Sequence, residues 1–174
     1  PNVIHRFYRE ARAMATLRHT NLCSVFDVGE IDGVHFLAME FIDGRPLAEY
    51  LQKGQPLPGR QVATVIHKLA LALDEAHRAD IIHRDLKPAN IMINQRKEPI
   101  VMDFGLARRD IEGEAALTHT GTIMGTPAYM APEQILGIPD KIGPHTDVFA
   151  LGVMLYQMIC GQRPFTGALA AMLP

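Results

Sequence analysis

The sequence is poor in cysteine and has no dense cluster of basic residues. Cys23 and Cys160 are its two cysteines, and they have neither the pairing density of a secreted disulfide scaffold nor metal-ligand spacing. We therefore expect buried, reduced thiols in a cytoplasmic protein. The net charge of -2, without a basic patch, argues against nucleic acid as a partner.

Hydrophobic runs long enough to cross a bilayer are also missing. The longest apolar stretch, VFALGVMLYQMIC from Val148, is too short and contains Gln157, so it predicts a core helix with Asp147 as its cap. The first residues resemble neither a signal peptide nor a transit peptide, and no initiator methionine is present. We expect the chain to begin inside a longer protein and to contain no membrane segment.

The first quarter of the chain has the patterns of a helix and a hairpin. Apolar residues recur at helical spacing over residues 4–17, with Glu10 at the edge of the stripe. Residues 22–42 form two apolar runs around Asp32-Gly33, which predicts a β-hairpin. The DGRP stretch at 43–46 predicts a hinge or linker.

The rest of the chain predicts a long helix, short strands and a long loop. Residues 61–79 have apolar side chains at spacings of three and four. IIHRDLKPANIMI at 81–93 predicts a strand, a polar loop and a second strand, and a further short strand ends at Asp103. Residues 104–133 have little periodicity, which favours a functional or mobile loop. Because strands and helices do not alternate regularly, this order predicts the α+β class.

Three polar side chains follow or lie between these short strands. Asp85 and Asn90 lie in the polar loop, and Asp103 ends the next strand. Two carboxylates and an amide oxygen are hard ligands that suit Mg²⁺ when phosphates supply its other ligands. A carboxylate can also accept a proton from an attacking hydroxyl.

Three short motifs give the chain a resemblance to a known family. HRDLKPAN at 83–90, DFG at 103–105 and APE at 131–133 occur in the order seen in protein kinases, and the sequence looks like the catalytic half of such a domain. The resemblance implies a kinase-like α+β fold that uses ATP and Mg²⁺ or Mn²⁺. It also implies that residues 1–42 are the remainder of the small lobe with the hinge, and that 43–174 are a truncated large lobe.

The resemblance implies a role for each motif residue. Asp85 resembles the catalytic base, Lys87 the cation beside the transferred phosphoryl group, and Asn90 and Asp103 the Mg²⁺ ligands. Glu10 resembles the acid that pairs with the ATP-contacting lysine, although an ordinary exposed helix glutamate stays an open alternative.

The MEFI stretch at 39–42 resembles the segment from which the adenine base hangs. Met39 would guard the rear of the pocket, and the backbones of Glu40 and Ile42 would contact adenine. Met92 resembles the residue under the adenine ring. For Met39 and Met92, plain core packing is the open alternative.

Further residues resemble the structural parts of a kinase. Asp147 resembles the aspartate that braces the His83-Arg84 backbone from the core helix. His83 and Phe104 resemble members of a stack that Met14 and Phe26 would complete, with core packing as the alternative for the latter two.

The segments DLKPAN and GTPAYMAPE resemble those of serine/threonine kinases, in which Thr126 would face the catalytic loop. The sequence most resembles bacterial kinases of the eukaryotic-like type. The resemblance implies protein substrates that carry serine or threonine, and a kinase dimer for trans-autophosphorylation.

Charge suggests how such a kinase would be regulated. A phosphate on Thr118 or Thr120 would add about two negative charges that need cations. We expect Arg6, Arg84 and Arg108 to gather around it, which would draw the loop toward the Glu10 helix. Ordinary polar loop residues are the alternative for these threonines.

The chain departs from the family pattern at both ends. It contains neither the glycine-rich loop nor the strand lysine, so Glu10 is expected to lack its family partner. It also stops before the last helices of the family's large lobe, which hold the arginine that pairs with Glu133, so Glu133 is expected to lack its family partner too. An uncompensated buried charge costs roughly 3–5 kcal/mol, so the 174 residues alone are expected to be marginally folded and inactive. A scaffolding pseudokinase therefore stays open as an alternative. An aminoglycoside-type phosphotransferase is disfavoured by the APE segment and the threonine-bearing loop.

Overall fold

The computed structural model describes residues 2–51, 54–104 and 127–165. In chain order the helices and strands are α1 Asn2–Thr16, β1 Val25–Ile31, β2 Val34–Met39, β3 Gly44–Pro46, α2 Leu47–Tyr50, α3 Gly59–Arg78, β4 Ile91–Asn94, β5 Pro99–Val101, α4 Pro132–Ile135 and α5 Pro144–Cys160. Helices and antiparallel strands are not interleaved in a regular alternation, so the predicted α+β class is confirmed.

The predicted helix and hairpin near the start of the chain are both present. Ala11 and Met14 of α1, and Leu17 directly after the helix, are buried at spacings of three. Strands β1 and β2 pair antiparallel around Asp32 and Gly33, whose φ angles of 52° and 79° are those of a two-residue hairpin turn.

The prediction that Phe26 belongs to a stack or to the core is wrong. Its side chain is 67% exposed, so it is neither part of a stack nor packed in the core. The preceding Val25 is buried against Met14, Phe104 and their neighbours instead. Because successive strand residues point to opposite faces, burial of Val25 directs Phe26 outward.

A second sheet has the strand order β3-β4-β5, and all its pairs are antiparallel. The hinge predicted over 43–46 is therefore wrong in part, because Gly44–Pro46 is a strand. The pairing depends on glycine, since a Cβ at Gly44 would collide with the carbonyl oxygen of Ile93. A polar turn follows β4, and there the side-chain oxygen of Asn94 accepts the N–H groups of Arg96 and Glu98 at 2.9 Å each.

The segment before the hairpin is fastened to β5. The side-chain nitrogen of Asn21 donates to the Pro99 carbonyl at 2.8 Å, and the backbone carbonyl of Asn21 accepts the N–H of Val101 at 2.9 Å. The N–H of Cys23 then donates to the Val101 carbonyl at 2.9 Å. These bonds place the start of the hairpin beside the end of β5, where Asp103 follows.

Helices α3 and α5 pack on each other and carry much of the core. Buried side chains of α3 include Val62, Leu69 and Leu73, and those of α5 include Met154 and Met158. Both helices match their sequence predictions within a few residues.

The predicted cap of α5 is wrong. The helix begins at Pro144 after Gly143, so Asp147 lies inside its first turn. Proline suits the first helical position because the N–H that it lacks would have had no partner in the helix. The Asp147 carboxylate is thereby available for contacts outside the helix.

The expectation of buried thiols is also wrong, since Cys160 is exposed and Cys23 is half-buried. Among the described residues, no helix is both long enough and apolar enough to cross a membrane.

The strand predicted at Ile81 and Ile82 is absent. The Ile81 N–H donates to the Ala76 carbonyl at 3.0 Å, which closes the end of α3. The N–H groups of His83 and Arg84 bond a side chain rather than a strand. With its donors used in this way the segment has no ladder to join.

Candidate active site

The loop of residues 83–90 begins at a buried histidine. His83 is 0% exposed, its Nε2 lies 2.9 Å from the Met102 carbonyl oxygen, and its Nδ1 lies 3.2 Å from the Asp85 backbone nitrogen. Because a carbonyl only accepts and a backbone N–H only donates, the ring carries its proton on Nε2 and is neutral. Burial lowers the pKa of His83, in agreement with that state.

Asp147 holds the backbone of this loop from α5. Its carboxylate is 1% exposed and accepts the N–H groups of His83 and Arg84, each at 2.8 Å. This is the brace that the resemblance implies for Asp147. A third contact joins Asp147 Oδ2 to Nε2 of His77 on α3 at 2.7 Å, so the carboxylate is well compensated despite its burial.

Asp85 lies directly after this braced turn, and its carboxylate is bonded to Lys87 and Asn90. Lys87 Nζ is 2.6 Å from Asp85 Oδ2, and the side-chain nitrogen of Asn90 is 3.2 Å from the same oxygen. Asn90 also donates to the Asp85 carbonyl at 2.8 Å. Because both bonds use the amide nitrogen, the amide oxygen of Asn90 is the atom suited to a cation.

Asp103 arrives beside this group from β5. The N–H of Met102 donates to the Asn90 carbonyl at 2.8 Å, and the Met102 carbonyl accepts the His83 ring. The negative charges of Asp147, Asp85 and Asp103 raise the pKa of His83, against the larger effect of burial, which lowers it. Asp103 is exposed and has a left-handed backbone, with φ of 50°.

The donor set fits a hard divalent cation that is shared with phosphates. Within the described ranges no group of three or more histidine, cysteine, aspartate or glutamate side chains is placed to hold a metal alone. Asn90 and Asp103 supply an amide oxygen and a carboxylate, both ligands that Mg²⁺ accepts. A cation here would take its remaining ligands from a substrate and from water.

The predicted adenine-binding segment lies at the end of β2. Met39 is half-buried, and the Glu40 N–H donates to the Ser24 carbonyl at 2.8 Å. The Glu40 carbonyl is 3.5 Å from the Cys23 thiol, and it retains a second lone pair. Met92, in β4, is half-buried opposite Ile100, and Ile42 is half-buried after the strand.

Glu10 lies on α1 at a cavity of about 290 Å³ between this helix and residues 79–84. Arg9, Met14, Arg84 and Phe104 also line the cavity. Glu10 is half-buried and has an interaction partner within the chain. The Nε atom of Arg84 is buried without a hydrogen-bond partner among the described residues.

The expectation that Glu133 is left uncompensated without its family partner is wrong. Its carboxylate accepts a hydrogen bond from the hydroxyl of Thr146 at 2.7 Å, and His145 Nε2 lies 3.4 Å away. For Glu133 the stability penalty assigned to an uncompensated charge therefore does not apply.

Of the remaining predicted site residues, the structure describes Phe104 but not the side chains of the others. Phe104 is buried with its ring 4.7 Å from that of His83. Thr118, Thr120, Thr126 and Arg108 lie outside the described residues, as does the side chain of Arg6.

Two residues at this site went unrecognised in the sequence. His77 has no ligand spacing, and the carboxylate that it contacts is 70 residues away. Gln134, next to Glu133, donates from Nε2 to the Arg84 carbonyl at 2.6 Å across 50 residues. No local pattern marks either contact.

The order of elements and the geometry of the 83–103 region define a protein-kinase-like fold. Residues 2–171 match the protein kinase domain family, and the chain therefore belongs to it. The probable serine/threonine-protein kinase PknB of Lactococcus lactis is 39% identical over 164 residues, which are 94% of this chain and 26% of that protein. The serine/threonine-protein kinase PknL of Mycobacterium tuberculosis is 42% identical over 163 residues, 93% of this chain and 40% of PknL.

Serine/threonine-protein kinase PrkC of Bacillus subtilis is 35% identical over 165 residues, which are 94% of this chain and 25% of PrkC. The chain thus spans between a quarter and two fifths of the length of these curated relatives.

Proposed function

We propose that the protein containing this chain is an ATP-dependent serine/threonine protein kinase, with Asp85 as its catalytic base. The observation that carries the proposal is the Asp85 carboxylate, held at Oδ2 by Lys87 at 2.6 Å and by Asn90 at 3.2 Å. It follows a turn whose backbone is fastened to buried Asp147. Family membership and the names of the relatives support the same reaction.

Each side chain of the loop has a distinct task in this reaction. Asp85 accepts the proton of the substrate hydroxyl as that oxygen attacks phosphorus. Lys87 neutralises charge on the oxygens of the transferred group, from its position beside Asp85. Asn90 and Asp103 hold the cation with an amide oxygen and a carboxylate.

Bound Mg²⁺-ATP supplies the γ-phosphoryl group and neutralises charge on its oxygens. We place the adenine between Met39 and Met92, beside the backbones of Glu40 and Ile42. The two separate sheets support the proposed division near residue 42, since β1 and β2 pair with each other and β3 pairs with β4.

We also propose that phosphorylation of Thr118 or Thr120 regulates the activity. The cavity between α1 and residues 79–84 presents Arg9 and Arg84 beside Glu10. The buried Nε atom of Arg84 leaves a donor for an anion. Mass spectrometry of the active protein that shows only unmodified loop threonines would remove this part of the proposal.

The central test is Asp85→Asn in the full-length protein. Loss of the base should lower kcat about 10²- to 10⁴-fold while ATP affinity stays within about threefold. Asp74→Asn is the matched control, because Asp74 is exposed on α3 and pairs with Arg78. Phosphate transfer to a protein substrate and ATP binding are measured for both variants. A parent protein that binds ATP but transfers no phosphate would favour a pseudokinase scaffold.

A further inference from the structure

The residue before Asp85 is held at both of its backbone polar groups. Arg84 has a left-handed backbone, with φ of 67°, a conformation that non-glycine residues rarely adopt without support. On one side its N–H donates to Asp147 at 2.8 Å. On the other its carbonyl accepts a hydrogen bond from Gln134 Nε2 at 2.6 Å.

Gln134 reaches this carbonyl from α4, which is remote in sequence. The side chain is half-buried, and its Oε1 accepts the N–H of Ala131 at 3.0 Å. The amide oxygen of Gln134 thus accepts a hydrogen bond from the 131–135 segment, and its amide nitrogen donates one to the loop. Glutamate could accept from Ala131 but could not donate to Arg84 when ionised, and methionine could do neither well.

The position of this bond gives it a consequence beyond local packing. The Arg84 carbonyl belongs to the peptide group whose N–H is that of Asp85, so rotation of this peptide changes the direction of the Asp85 side chain. Asp147 fixes the preceding peptide from the core, whereas Gln134 fixes this one from the segment that follows the long loop. A small error in the placement of a catalytic group can reduce a rate about 100-fold.

We infer that Gln134 is a positioning residue, whose hydrogen bond to the Arg84 carbonyl keeps the Asp85 carboxylate aimed at the substrate hydroxyl. The inference rests on the proposed function, since it assigns Asp85 the role of base. Gln134 touches neither substrate nor nucleotide in this role. It connects the 131–135 segment to the orientation of Asp85.

The test is Gln134→Glu in the full-length protein, with Gln157→Glu as the matched control. Gln157 is also half-buried and hydrogen-bonded, but it accepts from the Tyr129 hydroxyl at 2.6 Å and does not contact Arg84. Gln134→Glu keeps an acceptor for Ala131 and removes the donor to Arg84, and the negative charge that it adds is also added by Gln157→Glu. Three quantities are compared: kcat with KM for ATP, the melting temperature, and amide hydrogen exchange over residues 83–86.

Gln134→Glu should lower kcat about 10- to 100-fold with KM for ATP changed less than about twofold. Exchange at Arg84 and Asp85 should quicken about tenfold, and Gln157→Glu should change neither quantity. Unchanged kcat, or a lower kcat with unchanged exchange, overturns the inference. A fall in kcat equal to that of Gln157→Glu also overturns it, since the effect would then be one of general stability.

Failure of the proposed function and failure of the inference about Gln134 would give different results. A parent protein without phosphate transfer refutes the kinase assignment, whereas the exchange measurement still decides whether Gln134 holds the loop. If the variant melts far below the control, Gln134→Met provides the second comparison, because it loses both bonds without adding a charge. Matching loop exchange in Gln134→Met and the parent protein overturns the inference.

Discussion

Replacement of Asp147 by asparagine tests the contact that organises the loop. The Asp147 carboxylate accepts three hydrogen bonds, from the backbone N–H groups of His83 and Arg84 and from the ring of His77. Asparagine has nearly the same shape but only one acceptor oxygen. If that oxygen keeps the two bonds made by Oδ2, the amide nitrogen must face the N–H of Arg84.

The magnitude follows from these three bonds. An unpaired buried N–H costs about 1–3 kcal/mol, and loss of charge assistance in the other two bonds removes about 1–2 kcal/mol more. The variant no longer buries a charge, which offsets part of this loss. We expect Asp147→Asn to lower the free energy of unfolding by about 2–4 kcal/mol, against a typical total of about 5–15.

Urea titration followed by circular dichroism measures the loss directly. Asp74→Asn is the control, because Asp74 is exposed and its bond to Arg78 at 2.6 Å is a surface ion pair worth at most about 1 kcal/mol. Asp147→Asn should also lower kcat more than Asp74→Asn does. Equal stability of the two variants, within about 0.5 kcal/mol, would refute the role given to the Asp147 carboxylate.

Two further predictions concern His83 and the cysteines. Burial lowers the pKa of His83 below its ordinary 6.5. The contribution of the neutral ring to the free energy of unfolding is therefore complete above pH 6.5, and it is lost as the pH falls toward the folded-state pKa. Over this window the unfolded chain binds more protons than the folded one, so the free energy of unfolding should fall by up to about 1.4 kcal/mol for each pH unit of acidification. In urea titrations at several pH values, His83→Gln should flatten this dependence on pH. Identical slopes for the variant and the parent protein would contradict the prediction. Burial, followed by the charges of Glu40 and Asp103, raises the pKa of Cys23 to about 11, whereas Cys160 is exposed. With about 100-fold less thiolate than an ordinary cysteine, Cys23 should react with iodoacetamide after Cys160, and mass spectrometry showing Cys23 labelled first would exclude that order.

The elements read correctly from the sequence are those with a local signal. The Asp32-Gly33 turn was predicted because its residue types favour the positive φ angles that both adopt. Helices α1, α3 and α5 were predicted because apolar spacing or a long apolar run is visible within one segment.

The errors concern partners that are not neighbours in sequence. Gly44–Pro46 was read as a linker because its pairing with β4 depends on residues almost 50 positions later. Phe26 was assigned to a stack because side-chain spacing alone does not state which face of a strand is buried. Glu133 was thought unpaired because its bond to Thr146 depends on where α5 begins.

The sequence by itself determined the α+β class and the polar residues of the 83–103 region, because motif order and apolar spacing are properties of the linear chain. Only the tertiary structure decided that His77 bonds the Asp147 carboxylate and that Gln134 bonds the Arg84 carbonyl. The physical reason is that a carboxylate or a backbone carbonyl accepts a hydrogen bond from any suitably placed donor, so these bonds leave no residue pattern until folding brings their groups together.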